Sequence, residues 1–201
     1  MKLIKTLSLL LFITVVISGC GMLNPAAQVE NFKNYKYDVQ SVTDFKIAGK
    51  SAESLIGKGN TALTSLPGLA FAIIRKDLPL EAKVNMRVSN PTGKVANIGS
   101  FKYLIEIQGK PLVEGEVNED VRLENGSSAT IPFRFGANLF GVNKDEKGID
   151  KLLGDILTRE GNGFIVLKIK PSVKIGGKSV YYPGYITVDN DLLKSVSGLL
   201  K

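Results

Sequence analysis

The sequence predicts a mostly β fold, an antiparallel β-sandwich with one or two accessory helices. Two observations carry that expectation. Apolar and polar residues alternate in segment after segment, which is what a strand needs when one face meets a core and the other meets water. Turn-forming pairs such as Asn125-Gly126 and Gly176-Gly177 separate those segments at regular spacing, and such meandering strands argue an antiparallel sandwich instead of a parallel sheet. The length of 201 residues suits one domain, and nothing in the middle reads as an interdomain linker.

The first segment is not part of the sandwich. Lys2 and Lys5 precede an apolar run from Leu7 to Ile17, and Ser18-Gly19-Cys20 follows. Ile17-Ser18-Gly19-Cys20 resembles the lipobox of a bacterial lipoprotein signal, aliphatic, small, small, cysteine. That resemblance implies removal of residues 1–19 as a signal peptide and a lipid (palmitate) on the sulfur of Cys20, which becomes the first mature residue and ties the chain to a membrane. The alternatives are an uncut anchor or an ordinary secretory signal, and the run is short for the ~20 residues of a spanning helix. Gly21 is not the Asp that resembles an inner-membrane retention signal. The expected location is therefore the outer membrane facing the periplasm in a Gram-negative cell, or the outer face of the cell membrane in a Gram-positive one. Loss of two lysines lowers the formal charge from +7 to +5, and lipid on the one cysteine leaves no thiol for a disulfide. Residues 20–34 read as a tether, since Gly21 to Gln28 shows no clear period.

The sandwich is expected over residues 35–190. Tyr37 to Val42 and Phe45 to Ile47 suggest one strand with a bulge. Thr61 to Ile74 is either a short helix, with Leu69, Ala72 and Ile73 inwards, or a packed loop; its greasiness also makes it a candidate membrane- or ligand-contacting surface. Leu80 to Val88 alternates without a break and ends at Ser89-Asn90-Pro91-Thr92-Gly93, a turn by composition. Phe101 to Ile107 is the next strand, and Gly109-Lys110 can turn it into Pro111 to Leu123. Asn125-Gly126 suits two successive positive-φ residues and leads into the alternation of Ile131, Phe133 and Phe135. Ile149, Leu152, Leu153, Ile156 and Leu157 then form one apolar stripe of a helix from about 144 to 159, expected to cover an open end of the sandwich. Gly176-Gly177 turns Phe164–Lys174 into Lys178–Val188. Residues 191–201 form a short helix or tail, capped by Asp189 or Asn190, with Leu192, Leu193, Val196 and Leu199 on one side.

The order of these pieces resembles a known family. A strand ending in Val88-Ser89-Asn90-Pro91, a strand closing on Gly109, Val113-Glu114-Gly115, and a strand reaching Asn125-Gly126 before Ser127 to Phe133 look like the type 2 late embryogenesis abundant (LEA) family, which overlaps the water-stress and hypersensitive-response (WHy) domain. The resemblance covers about Tyr37 to Val188. It implies a fibronectin type III or immunoglobulin-like sandwich and an association with desiccation or osmotic stress, with Asn90, Pro91 and Gly109 as motif turn residues and no catalytic residue to carry over. The long segment around Thr61 to Ile74 and the lipid signal depart from the soluble plant members.

Composition excludes much chemistry. Without His there is no Ser-His or Cys-His pair and no His-ligated metal, so the expectation is a protein that is not an enzyme and carries no cofactor. Gly176-Gly177-Lys178-Ser179 ends like a phosphate loop, yet Ser172 stands where Gly is needed and a strand follows. Asn125-Gly126-Ser127 reads as a hairpin turn before a glycosylation site. Glu119-Asp120 and Asp189-Asn190-Asp191 read as turn and cap acids before cation ligands. Lys168, Lys170, Lys174 and Lys178 share a parity that could form a stripe against anionic lipid or simply protect strand edges. Tyr181, Tyr182 and Tyr185 read as core packing, with sugar or peptide stacking as the minority reading. Nucleic acid is not expected as a partner. A protective or binding lipoprotein is the leading expectation; an envelope scaffold docking a partner protein and a carrier of an apolar ligand are the alternatives.

Overall fold

The eleven residues of β3, Pro79–Ser89, keep the alternation of the sequence: Leu80, Ala82, Val84, Met86 and Val88 are buried. The structure is a computed structural model that describes residues 25–56, 66–158, 165–189 and 191–196. The signal segment, Cys20, residues 61–65 of the segment Thr61 to Ile74, the candidate cap Asn190, and Leu199 lie outside the described residues. β3 pairs on one side with β1, Lys36–Ile47, and on the other with β8, Ser128–Asn138; β2, Lys50–Ser51, continues the sheet beyond β1. The bulge expected in β1 is present twice, between Val39 and Ser41 and between Thr43 and Lys46.

The second sheet is built on β5, Phe101–Ile107, flanked by β6, Lys110–Val117, and β9, Ile165–Ile175. Two short strands share the far edge of β9: β10, Lys178–Tyr181, and β11, Ile186–Asp189. A third ladder joins β4, Ala96–Ile98, to β7, Val121–Leu123. Every pairing between these strands is antiparallel, as expected of a sandwich, but the strands do not simply meander: β3 pairs with β8 and β5 with β9, so the chain crosses from one sheet to the other between them. The inner faces of β3, β5, β8 and β9 merge in one core, and Phe133 of β8 meets Phe101 edge-on at 5.8 Å and Tyr103 at 5.0 Å. Such ring pairs add specificity to the area they bury.

Helices close the ends. α1, Pro25–Asn31, runs into a 3-10 turn, Phe32–Asn34. α2, Ala52–Ile56, and α3, Pro67–Ile74, precede β3. α4, Glu146–Thr158, buries Ile149, Leu152, Leu153 and Ile156, the stripe expected of it, with Leu157 half-buried. α3 is the helix of the two alternatives, with Leu69 and Ile73 buried and Ala72 half-buried.

The structure corrects five local expectations. Residues 25–34 are not tether: Val29 and Phe32 are buried, Phe32 stacks edge-on with Tyr35 at 5.5 Å, and the Tyr37 hydroxyl donates to the Phe32 carbonyl at 3.1 Å. Two anchoring apolar residues three apart are too few to show a period. The turn after β5 uses Gln108 and Gly109, both at positive φ (52° and 73°), so Lys110 already belongs to β6 and pairs with Ile107. Pro111 to Leu123 is not one strand, because the chain leaves the second sheet after Val117 and joins the small ladder at Val121. At Asn125-Gly126 only Gly126 has a positive φ, 72°, and the turn links β7 to β8 in a different sheet with no ladder between them. The C-terminal segment is a 3-10 turn, Leu192–Ser195, capped by Asp191, whose carboxylate accepts from the Leu193 N–H at 3.2 Å. By contrast Gly176-Gly177 is a tight hairpin with both residues at positive φ and Lys178 opposite Ile175.

Candidate functional site

Sandwich strands give the molecule two poles. One gathers the start of β1 and the end of β3, where Lys36 faces Ser89; the other gathers the end of β1 and the start of β3, where Ile47 faces Leu80. Eleven residues of strand separate them by about 35 Å.

The first pole is organised by Asn90. Only 1% of this residue is exposed. Its amide N–H group donates to the carbonyls of Lys94 (2.6 Å), Leu123 (3.1 Å) and Glu124 (3.3 Å). Its carbonyl oxygen accepts from the Thr92 N–H (3.1 Å) and hydroxyl (2.7 Å). The Asn90 backbone bonds Ser127 and Gly126, and the Gly93 N–H donates to the Asn125 side chain at 3.0 Å. One side chain therefore locks the loop 90–94 to the turn 123–127, with Pro91, exposed beside it, unable to extend β3. The motif turn is a structural pin. Gly109 sits at the other pole with open space around its α-carbon, so only its φ of 73° calls for glycine. Gly115 answers a different need: a Cβ there would collide with the Tyr103 ring.

Beside the pin lies an open groove of about 570 Å³. α1 supplies one wall through Ala27 and Asn31, the loop after Asn90 supplies Thr92, Lys94 and Val95, and Arg122 and Val173 close it. Lys94 and Val95 are both exposed. Arg122 reaches Glu124 at 3.0 Å in an exposed pair, a contact of little energy in water.

A cluster of hydroxyls, not anticipated from the sequence, lies where β10 pairs with the end of β9. The buried Ser100 Oγ is 3.3 Å from both Ser172 Oγ and Ser179 Oγ and 3.0 Å from the Tyr181 hydroxyl. Ser172 donates to the Ser100 carbonyl at 2.6 Å, and Tyr181 donates to Glu116 at 2.5 Å. The Tyr181 hydroxyl, then Ser100, hold the Glu116 carboxyl below its ordinary range, with the Lys102 charge adding to them. A carboxylate so stabilised is a weak base, and the hydroxyls satisfy one another, so the arrangement braces β10 rather than activating a nucleophile. Ser172 holds an outward parity in β9 and reads as a surface serine until β10 pairs beside it and sets Tyr181 opposite, which leaves no sequence signal.

The other features weighed from the sequence disperse. Lys168 pairs with Glu106 at 2.8 Å and Lys174 with Asp120 at 2.6 Å, and the buried Ser172 interrupts the stripe between them. Tyr181 carries the Lys102 ammonium 5.0 Å above its ring, Tyr182 packs on the core, and Tyr185 is exposed. At the second pole α3 turns Phe71 and Ile74 outwards, 54% and 73% exposed, with the Arg75 guanidinium 4.1 Å over the Phe71 ring. Among the described residues no group of three His, Cys, Asp or Glu could hold a metal, and no helix is long and apolar enough to cross a membrane.

No protein-family model matches the sequence, and no curated protein does. Among solved structures the chain is similar to the solution structure of a protein provisionally described as late embryogenesis abundant, at 16% identity and a TM-score of 0.37, over 89% of this chain and 88% of that one. It is also similar to the crystal structure of a protein from Archaeoglobus fulgidus, at 20% identity and a TM-score of 0.35, over 54% of this chain and 80% of that one.

Proposed function

We propose that the chain is a lipid-anchored, extracytoplasmic β-sandwich that acts by binding or protective contact without catalysis. The observation that carries the reading is the lipobox ending at Cys20, followed after only four residues by a helix whose continuation is buried in one pole of the sandwich. Lipid on Cys20 would then hold that pole against the membrane, since the chain from Cys20 to Pro25 reaches at most about 18 Å. The mutually satisfied hydroxyls and the lack of imidazole support a non-catalytic role. A role in desiccation or osmotic stress rests on the resemblance of the strand-and-turn order to type 2 LEA proteins. Fractionation tests the anchor: Cys20→Ala should abolish lipid incorporation, and lipid labelling that persists in this variant overturns it. For the stress role, a deletion strain that survives drying and osmotic shock like its parent refutes it.

A second reading is favoured by the exposed Phe71 and Ile74 at the pole away from the anchor. An envelope scaffold would dock a partner protein there. Crosslinking at that helix, followed by recovery of one stoichiometric partner, would support it; recovery of none would favour the protective role.

A further inference from the structure

The groove beside α1 has three properties that a lipid-headgroup site needs. It is open, it carries positive charge at its rim, and a fixed apolar side chain projects next to that charge. Val95 is 45% exposed, and the Asn90 pin holds the preceding residues 90–94, so Val95 stands on a braced loop. Among the described residues Lys94 forms no ion pair, and the Arg122 pair with Glu124 is solvent-exposed on both sides. The neighbouring charges favour an anion. Glu30, Glu124 and Asp120 are each matched by a cation, Lys33, Arg122 and Lys174. Among the described residues Lys36, Lys94 and Lys178 stand at the same pole without such a match, opposed by Glu119, while Glu116 lies across from Lys102.

We infer that this groove docks the anionic phospholipid headgroups of the membrane that carries the chain. Lys94 and Arg122 meet the phosphates, and Val95 enters the boundary between headgroups and acyl chains. The occupant follows from position as well as charge: α1, one wall of the groove, starts within about 18 Å of Cys20, so a lipid on that cysteine delivers the groove to the headgroup layer. The inference rests on the anchored reading and adds to it a defined face, orientation and lipid preference. It also distinguishes the two apolar features, because Phe71 and Ile74 point away from the same bilayer.

The absence of Trp from the chain makes the test free of background. The purified native lipoprotein, as a Val95→Trp variant, is placed in vesicles of phosphatidylcholine alone or mixed with phosphatidylglycerol, with brominated acyl chains as quencher. A Phe71→Trp variant reports the opposite pole. Both positions are exposed, and circular dichroism confirms that the variants fold. The expected result is a blue-shifted, quenched emission for Val95→Trp, stronger in the phosphatidylglycerol vesicles, and no quenching for Phe71→Trp. Adding Lys94→Ala should weaken the anionic preference of the Val95→Trp signal about fivefold, the contribution of one surface lysine. Lipid on Cys20 by mass together with an unquenched Val95→Trp, or quenching of Phe71→Trp instead, overturns this inference alone. No lipid on Cys20 overturns the anchored reading and this inference with it.

Discussion

Asn90 replaces a stretch of backbone pairing with one primary amide: its N–H group serves three carbonyls and its oxygen serves Thr92. Removing it strands buried carbonyls that water reaches poorly, so Asn90→Ala should lower unfolding free energy by about 2–4 kcal/mol. Asn90→Asp should do at least as much harm, since a carboxylate would then face three carbonyl oxygens. Urea titration checks both, with a lower midpoint and unchanged slope expected; a loss below about 0.5 kcal/mol would mean that the pin is replaceable by solvent. Gly109→Ala probes another motif residue, where the surrounding space is open and only the left-handed backbone opposes a side chain. Its expected cost is smaller, about 1–2 kcal/mol in the same titration. At Tyr181 the prediction concerns pH. The folded Glu116 carboxyl titrates below its ordinary value, chiefly because Tyr181 donates to it. Stability from that contact is thus complete above the ordinary carboxylate range and is lost as pH falls through the depressed value. Tyr181→Phe should be less stable than the parent near neutrality, with the gap closing in acid, and the Glu116 carboxyl resonance should titrate at higher pH in the variant. A gap that widens in acid would contradict the assignment.

At the scale of elements, legibility followed the number of residues that repeat a pattern. β3 and α4 are readable because five and four apolar residues fall on one face of each. α1 with its 3-10 continuation is not, since Val29 and Phe32 alone dock it and the core they enter is contributed by distant strands. The split of Pro111 to Leu123 between two sheets was hidden for a similar reason: Val117 and Val121 keep an even spacing, and only the partner strands decide where pairing changes. Turns were legible as turns but not as registers, as Gln108 shows by taking a positive φ that its side chain does not favour. Of the groove, Lys94, Val95 and Arg122 carry no local signature, because the sequence separates them from α1 by some sixty residues or more and the fold alone assembles them. The docked helix is itself testable. Phe32 is fully buried, so Phe32→Ala leaves a cavity expected to cost about 3–5 kcal/mol if the pole holds together. Hydrogen exchange on this variant should speed up in residues 25–34 far more than in β3. Equal acceleration in both would show that α1 and the sandwich open as one unit.

The two large sheets meet through the side chains of their inner faces. One cysteine in 201 residues, placed before the described residues, leaves the core without a disulfide of its own in whatever compartment it occupies. Cohesion must then come from packing such as that of the apolar cluster which, among the described residues, runs from Phe32 at one pole to Leu153 at the other. A disulfide of ordinary strength contributes about 2–4 kcal/mol, equivalent to about 5–15 °C in the melting temperature of a domain this size. Melting temperature should therefore be the same with and without a thiol reductant, and the same again in Cys20→Ala, whereas Phe32→Ala lowers it in every buffer. A drop of several degrees on reduction, absent in Cys20→Ala, would reveal a disulfide between two chains through unlipidated Cys20. That outcome would remove both the anchor and the orientation built on it, so a calorimetric scan in two buffers bears on membrane attachment as well as on the core.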